Sequence, residues 1–566
     1  MRSFRPFHGG VIELQEQDRS ALPPEAATGS PAAPARPPGS RPGSGPGPEG
    51  GRGALPVLGP LLVPALVPAL LSLVLGLWGI TREGSMWRDE SVTYQVAHRS
   101  LPEIADLLRQ ADAVHGLYYV LMHALFGVWD GGLVALRLPS VLAVAVTAGL
   151  VAGIALRLTS RPAVGLVSGL VFAVTPEVQM YAQEGRSYAM VCALVALATY
   201  LFVTLTDDGT SARGTSRRIR WFLYGATVLA ASLLHEFAVL ALLAHGITLY
   251  RSPAVPAVPA VPAASRRCFA VAAAGVAVAL LPLVVLSAGQ SGQVSWIGNP
   301  KLREWFEIGG VAALASACAW YLSRPDRHPS RPDAHPAPAG RAVTLPRLAL
   351  PLTLAPTAAL LLAAVHEPMY VDRYVLYSAV GLALLVGAAV VRLTDRARQV
   401  PALRGRAART SAAGVMVLLS AAALLPVTLQ MRTPDSRKDD VTAIAREAGR
   451  LARYGDADAV LFTPARRREW MLSYPGQFGG LSDIALKDGP VASGTLQGTE
   501  RTAPDIRQRL ARAERVVVLS DPAGQPLDKN PEELVKRQVL EQHFTACHRT
   551  ALKGGQVTLY TRTTCP

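Results

Sequence analysis

The sequence predicts an α-helical polytopic membrane protein that crosses the bilayer about eleven times and ends in a soluble α/β domain. Several runs are apolar, almost free of charge and close to the ~20 residues needed to cross a ~30 Å hydrocarbon core. Arginine collects in alternate connections between these runs, whereas Asp, Glu, His, Gln and Tyr collect in the others. After Leu429 the apolar runs stop and the patterns of a soluble domain begin.

The apolar runs give the span positions. The first, at 56–80, could be mistaken for a signal peptide, but it follows a long tail and lacks a convincing cleavage site before Trp87, so it is expected to stay as an anchor. The predicted spans are 56–80, 138–156, 163–178, 187–206, 221–235, 236–250, 268–287, 305–322, 347–365, 373–391 and 410–430.

The placement of arginine fixes the expected orientation, because cytoplasmic loops next to spans retain Lys and Arg. With the amino terminus inside, every cytoplasmic loop is basic, and the carboxyl-terminal domain lies outside. We therefore expect a multi-pass protein of the plasma membrane. The cytoplasmic loops contain Arg157 and Arg161, Arg213 to Arg220, Arg251 to Arg267, Arg324 to Arg347, and Arg392 to Arg409.

One apolar segment is excluded from the spans. Residues 113–129 are apolar, but the stretch from His115 to Trp129 is only about fifteen residues and is short for a span. An interfacial helix is the preferred interpretation, because an extra span would place a basic or an acidic loop on the wrong side.

The two ends of the chain differ in character. Residues 1–55 are rich in Pro, Gly, Ala and Ser and predict a disordered cytoplasmic tail, followed by a membrane domain at 56–430. Residues 431–566 predict an extracytoplasmic α/β domain. Its predicted helices are Val441 to Tyr454 and Pro531 to Phe544, and its predicted strands are Ala459 to Phe462, Val516 to Leu519 and Gln556 to Tyr560.

Charge and cysteine content exclude some classes of function. The net charge of +15 suggests a nucleic-acid partner. However, the arginines are spread over loops that the membrane topology already explains, so no nucleic-acid partner is expected. Of five cysteines, Cys547 and Cys565 flank the last strand; an oxidising space favours a disulfide between them over two free thiols.

The first outer loop carries adjacent carboxylates, Asp89 and Glu90, directly after the first span. Such residues beside a membrane interface are costly unless they bind something. A solvated acidic loop is the alternative, and it would be preferred for a lone acidic pair.

The second outer loop is a tight turn dense in polar groups, with Tyr181, Gln183, Glu184, Arg186 and Tyr188. An ordinary helix cap with an ion pair is the alternative to a binding site here. A third turn at 235–237, His-Glu-Phe, is equally compatible with function and with a local surface turn.

The fourth outer loop leads into a span with Arg373 and Tyr374. A guanidinium is suited to a lipid phosphate because its planar fork binds oxygen pairs and is never deprotonated. A structural pair of Arg373 with Asp372 or Glu367 is the competing interpretation.

These motifs together resemble the GT-C glycosyltransferases. The resemblance rests on Trp-x-Asp-Glu at 87–90, Leu-Phe-Gly at 125–127, Leu-Arg-Leu-Pro-Ser at 136–140, Tyr-x-Gln-Glu-x-Arg-x-Tyr at 181–188, and Arg-Tyr at 373–374. It covers most of residues 56–430 and is greatest for glycosyltransferase family 39, related to protein O-mannosyltransferases and aminoarabinose transferases. The Ala, Arg and Pro usage resembles that of actinobacterial members.

The resemblance implies transfer of a sugar, mannose by default, from a polyprenyl-phosphate donor to a protein, glycan or lipid acceptor on the outer face. It implies that Asp89 is the catalytic base and that Glu90 positions donor or acceptor. The other implied residues, near the donor phosphate or substrate, are Tyr181, Gln183, Glu184, Arg186, Arg373, Tyr374 and His115.

The chemistry is compatible with one base and a phosphate leaving group, which predicts direct displacement with inversion at the anomeric carbon. Neither outer loop has an Asp-x-Asp pair, which favours metal-independent transfer, although Asp89 and Glu184 could share a divalent ion, Mg or Mn.

Two other classes stay open. A lipid or ion transporter would place its acidic residues near the middle of broken helices and often shows internal repeats, whereas the carboxylates here lie at outer span ends. A binding or scaffold protein built on the carboxyl-terminal domain would leave the motifs at 87–90 and 181–188 unexplained.

Overall fold

The computed structural model describes residues 59–207, 215–250, 261–290, 292, 297–324, 343–366, 368–397 and 422–566. All of them belong to one compact unit, Val57–Pro566. The tail predicted at 1–55 and most of the span predicted at 410–430 lie outside the described residues.

The first part of the chain is helical. Its helices are α1 (Gly59–Leu77), α2 (Arg88–Ala97), α3 (Leu101–Gln110), α4 (Gly116–Val128), α5 (Gly132–Thr159), α6 (Pro162–Val174), α7 (Pro176–Ala182), α8 (Tyr188–Asp207), α9 (Thr215–Leu234), α10 (Leu240–Tyr250), α11 (Ala263–Ala288), α12 (Leu302–Ser323), α13 (Leu345–Ala363), α14 (Ser378–Ala397) and α15 (422–430).

Among the described residues, seven helices are long and apolar enough to span a membrane, or eight if the bent pair α6 and α7 counts as one span. The class of a multi-pass helical membrane protein is confirmed. The predicted spans at 221–235 and 236–250 are helical, but α9 begins with basic residues and α10 has only 11 residues, so neither meets the same criterion.

α4 is apolar but shorter than the helices that meet the criterion for a span. Its amino end follows His115, whose ring lies 6.4 Å from that of Tyr188 at the start of α8. Beyond its carboxyl end, Arg137 near the start of α5 contacts the carbonyl of Ser85. The interfacial position of α4 stays a prediction.

The span predicted at 163–178 is broken. α6 and α7 meet at an angle of 64°, and Thr175 between them is extended, with φ −61° and ψ 123°. Pro176 explains the break, because proline removes a backbone donor and disfavours the α conformation in the residue before it. Because of the break, α7 and the second outer loop lie across the end of α1.

Close helix contacts in this part depend on small residues. α5 packs against α1, α6 and α8 and carries many buried Ala and Val side chains. A side chain at Gly169 of α6 would come within 2.5 Å of Pro68 in α1, so only glycine allows this approach.

The carboxyl-terminal part contains a sheet, as predicted. Its helices are α16 (Val441–Tyr454), α17 (Glu469–Leu472), α18 (Ala503–Arg512) and α19 (Pro531–His543), and its strands are β1 (Ala459–Thr463), β2 (Ser482–Asp483), β3 (Leu486–Asp488), β4 (Thr499–Glu500), β5 (Arg515–Ser520), β6 (Thr545–Leu552) and β7 (Gly555–Thr561).

The main sheet has the order β2-β1-β5-β7-β6; β1 is parallel to β2 and β5, and β7 is antiparallel to β5 and β6. One face packs on α16 through Val460 and Val517, and the other packs on α18 and α19 through Leu461 and Val518. A disulfide joins Cys547 and Cys565, which confirms the predicted bond. The division at 430 between the two parts stays a prediction.

Candidate functional site

The four predicted outer loops come together at one end of the helices. The first loop places Asp89 and Glu90 in the first turn of α2, where the helix dipole favours negative charge. The two neighbouring carboxylates then face different surroundings.

Glu90 is fully buried between two arginines. Arg82 Nη2 donates to both of its oxygens at 2.8 Å, and Arg137 donates through Nε at 2.7 Å and Nη2 at 2.8 Å. The amide of Gly185 adds a donor at 3.1 Å from Oε1. Burial alone would raise the pKa of Glu90, but the guanidiniums of Arg137 and Arg82 outweigh it and lower the pKa to about 2.

This cluster accounts for the Leu-Arg-Leu-Pro-Ser motif at 136–140. Arg137 also donates to the carbonyls of Ile80 and Ser85, each at 2.6 Å, and so binds α5 to the first loop. Ser140 donates to the carbonyl of Glu184 at 2.6 Å, which binds the same helix to the second loop. The sequence analysis gave neither Arg82 nor Arg137 a role.

Asp89 has a different environment. Its side chain is 22% exposed, and its Oδ2 lies 3.6 Å from Arg373 Nη2. Arg373 donates through Nε to the hydroxyl of Tyr188 at 3.1 Å. Its guanidinium carbon also lies 5.9 Å from the ring of Trp87 and 5.8 Å from that of Tyr374. The fourth loop therefore places the guanidinium of Arg373, which is surrounded by aromatic rings, next to Asp89. Asp89 is the more accessible carboxylate of the Asp89–Glu90 pair.

An aromatic wall continues from Arg373. Tyr181 packs against Tyr188, with ring centroids 5.9 Å apart. His235 lies 4.5 Å from Tyr374 and 5.8 Å from His115. The third turn therefore contributes His235 to the same cluster. Burial, with Arg186 nearby, lowers the pKa of His115 well below its usual range, so this ring is neutral at pH 7.

Arg186 faces the same wall from the second loop. Its Nη1 donates to the hydroxyl of Tyr119 at 3.1 Å and to that of Thr93 at 3.3 Å. The Tyr119 hydroxyl in turn donates to Asp112. Among the described residues, the buried Nε of Arg186 has no hydrogen-bond partner, so this cation retains an unused donor.

The other two second-loop residues, Gln183 and Glu184, are buried. Gln183 donates to the carbonyls of Gly76 at 2.9 Å and Trp78 at 2.7 Å, at the end of α1. Such carbonyls lack partners inside a helix, so Gln183 acts as a cap rather than a group free to bind phosphate. For Glu90 and Gln183 this geometry differs from the positions next to substrate that the resemblance implies.

Glu184 is buried without a hydrogen bond. Neither of its carboxylate oxygens has a hydrogen-bond partner among the described residues. The Nε of Arg437, from the segment after α15, lies 3.6 Å from Oε2. Burial raises the pKa of Glu184 to about 7, although Arg437 and Arg373 oppose the increase. The sequence analysis missed Arg437, since it lies far from every outer-loop motif.

Few side chains at this site could bind the candidate divalent ion. In the part of the chain that the structure describes, no group of three or more His, Cys, Asp or Glu side chains is arranged to hold a metal. Asp89 and Glu184 would supply two carboxylates, and a guanidinium already faces Asp89.

A cavity lies in the carboxyl-terminal part, at the carboxyl ends of β1 and β5, with a volume of about 220 Å³. Its Asp521 is already paired with Arg466 and Arg467. The residues from the outer-loop motifs do not line it.

Comparison with known proteins agrees with the resemblance of the motifs. Residues 133–255 match the family model described as the protein O-mannosyl-transferase TMEM260 N-terminal domain. No curated protein sequence is significantly similar to the chain.

Two solved structures are similar to the chain at low sequence identity. ArnT from Cupriavidus metallidurans bound to undecaprenyl phosphate has a TM-score of 0.49 at 12% identity, covering 87% of this chain and 97% of that one. The Archaeoglobus fulgidus oligosaccharyltransferase AglB, in complex with an inhibitory peptide and a dolichol-phosphate, has a TM-score of 0.45 at 10% identity, covering 81% and 69%. The chain is thus similar over residues 133–255, from α5 to just beyond α10, to the N-terminal domain of protein O-mannosyltransferases of the TMEM260 type.

Proposed function

We propose that this chain is an integral-membrane glycosyltransferase. It transfers a sugar, mannose by default, from a polyprenyl-phosphate donor to an acceptor hydroxyl on the outer face of the plasma membrane. The amino terminus is cytoplasmic and the sheet-containing part is outside. The family match at 133–255 supports the reaction class.

The observation that carries the proposal is the pairing of an accessible carboxylate with a cation. Asp89 is partly exposed at the end of the helices, and Arg373 faces it across 3.6 Å. A base and a phosphate-binding guanidinium must both lie near the anomeric carbon, the base on the face that the acceptor oxygen attacks and the guanidinium on the face from which the phosphate leaves.

In the proposed reaction, Asp89 removes the proton from the acceptor hydroxyl. The acceptor oxygen then bonds to the anomeric carbon, while the bond from that carbon to the phosphate oxygen breaks. General-base assistance of this kind contributes roughly 10²- to 10⁴-fold. The leaving phosphate needs no proton, since Arg373 and Arg186 stabilise its charge.

The remaining residues have supporting roles in this proposal. Glu90 fixes the turn that carries Asp89, and Gln183 fixes the second loop on the end of α1. The rings of His115, Tyr181, Tyr188 and Tyr374 line the space where the donor would lie. A one-step displacement inverts the configuration at the anomeric carbon.

The test is transfer of label from polyprenyl-phosphate mannose in membranes that contain the wild type or Asp89→Asn, with and without a chelator. We expect transfer by the wild type and a loss of at least ~10²-fold in the variant. Persistence of transfer in the chelator would support metal-independent chemistry, and retention of the donor's configuration in the product would exclude direct displacement.

The matched control is Asp106→Asn, which alters an exposed carboxylate in α3 that pairs with its neighbour Arg109. This variant should transfer as the wild type does. If a folded wild type transfers from none of the polyprenyl-phosphate sugars, the enzyme proposal is wrong, and export of the labelled lipid would then be the assay for a transporter.

A further inference from the structure

The segment that follows α15 contacts both loops of the proposed active site. We call residues 437–442 together with Glu469 the brace. Arg437 is buried, and its Nη2 donates to the carbonyl of Met180 at 2.7 Å and to that of Gln183 at 3.3 Å. This end of the brace fixes the second loop.

The other contacts of the brace reach the first loop. The amide of Met86 donates to the Thr442 hydroxyl at 2.9 Å, and the amide of Val441 donates back to the Met86 carbonyl at 2.9 Å. The amide of Arg88 donates to Asp439 Oδ1 at 2.7 Å. The backbone on the amino side of Asp89 is therefore held by the carboxyl-terminal part of the chain.

A side-chain pair strengthens the same junction. Arg88 Nε donates to Glu469 Oε2 at 3.0 Å, and the Glu469 side chain is only 2% exposed. On the carboxyl side of Asp89, the hydroxyls of Ser91 and Ser473 lie 2.6 Å apart, and Ser473 also bonds the Ser91 carbonyl at 3.1 Å.

These contacts leave the side chain of Asp89 accessible while its backbone is held from both directions. Glu90 is bound from the membrane side by Arg82 and Arg137, and Arg88 is bound from the other side by Asp439 and Glu469. Contacts that served only to attach a recognition domain would have no reason to converge on the residues that flank one carboxylate.

We propose that the brace is a positioning element of the transfer reaction, so that Asp439 and Glu469 act through Arg88 to set the place of Asp89. The role rests on the proposed function, and it gives the carboxyl-terminal part a task in catalysis that does not depend on recognising the acceptor. A displacement of about 1 Å can cost ~10²-fold in rate, so loss of the brace should be visible in turnover.

The experiment uses the full chain in nanodiscs and compares three variants with the wild type. Asp439→Ala removes the acceptor for the Arg88 amide, whereas Asp439→Asn retains an oxygen there. Glu447→Gln is the matched control, because Glu447 binds Arg450 at 2.7 Å within α16. All must first show the same cooperative melting.

Two measurements then test the brace. Hydrogen exchange should become faster at residues 86–91 in Asp439→Ala, but not in Asp439→Asn or Glu447→Gln. Label transfer by Asp439→Ala should show kcat lowered by about 10- to 100-fold with an unchanged KM for the donor, and Asp439→Asn should keep most of the activity.

The outcomes separate the two proposals. Unchanged exchange at 86–91 in Asp439→Ala would overturn the brace whatever the enzyme's activity. Faster exchange with unchanged kcat would also overturn its positioning role. A wild type that transfers no sugar, combined with faster exchange in Asp439→Ala, would refute the proposed function. It would still support the contact between the brace and residues 86–91.

Discussion

Replacement of Glu184 by Gln should stabilise the protein at neutral and alkaline pH. The carboxylate is buried and accepts no hydrogen bond from the described residues, and its nearest cation is Arg437, 3.6 Å away. An ionised group in such a place loses its hydration and gains little in return. A glutamine of the same shape carries no charge that must be desolvated.

The magnitude follows from the pKa of Glu184. Burial raises it from 4.5 to about 7, a difference of about 2.5 pH units, and each unit corresponds to ~1.4 kcal/mol. The folded state holds the proton more tightly than the unfolded state, so stability is lost as the pH rises from 4.5 through 7. The cost of ionisation approaches roughly 3 kcal/mol above pH 7, of which about 1 kcal/mol is already present at pH 5.

The assay is thermal unfolding in detergent, followed by tryptophan fluorescence between pH 5 and pH 8. The melting temperature of Glu184→Gln should exceed that of the wild type at pH 8, and the gap should narrow towards pH 5. Glu514→Gln, which alters an exposed carboxylate, should show no such trend. Parallel melting curves for wild type and Glu184→Gln across this range would refute the reasoning.

Three further predictions concern the cation network and the disulfide. Arg137→Met removes a partner of buried Glu90 and should lower the free energy of unfolding by roughly 3–5 kcal/mol, measured as a fall in melting temperature; an unchanged melting temperature would contradict the ion-pair account. Arg373→Lys keeps the charge but loses the planar fork, so label transfer should fall by roughly 10²-fold without a change in melting, and wild-type transfer would rule out bidentate phosphate binding. Joint replacement of Cys547 and Cys565 by Ser opens a loop of 18 residues and should cost roughly 3 kcal/mol; equal melting of the wild type with and without reductant would argue against that contribution.

Helices and strands with strong periodicity could be predicted from the sequence. The helix at Val441–Tyr454 has the predicted bounds, and the strands at 459, 516 and 556 each lie within two residues of prediction at both ends. β6, at Thr545–Leu552, was missed because it is an edge strand with mostly exposed polar residues, which lacks a buried stripe. The periodicity of apolar residues reveals helices and strands that bury one face. It gives little signal for an element in which neither face is buried.

The residue types of the site were predictable, but the partners were not. The loop sequences drew attention to Asp89 and Arg373, which lie 3.6 Å apart and whose proximity follows from the alternation of the spans; their roles stay a prediction. Gln183 shows the limit, because a glutamine in a turn has the same sequence signal whether it faces a ligand or caps a helix. Arg437 shows another limit: its contact with Glu184 spans more than 250 residues of sequence, and no local pattern encodes it.

The two cations that the proposed reaction assigns to the leaving phosphate have a kinetic consequence. They are the guanidiniums of Arg186 and Arg373, whereas Arg82, Arg137 and Arg437 face the buried carboxylates of Glu90 and Glu184. In the proposed reaction the donor is a phosphodiester with one negative charge, whereas the leaving lipid phosphate carries up to two. Two fixed cations in a poorly hydrated site bind the doubly charged form more strongly. We therefore expect the spent lipid to bind more tightly than the donor does, so that polyprenyl phosphate inhibits its own formation.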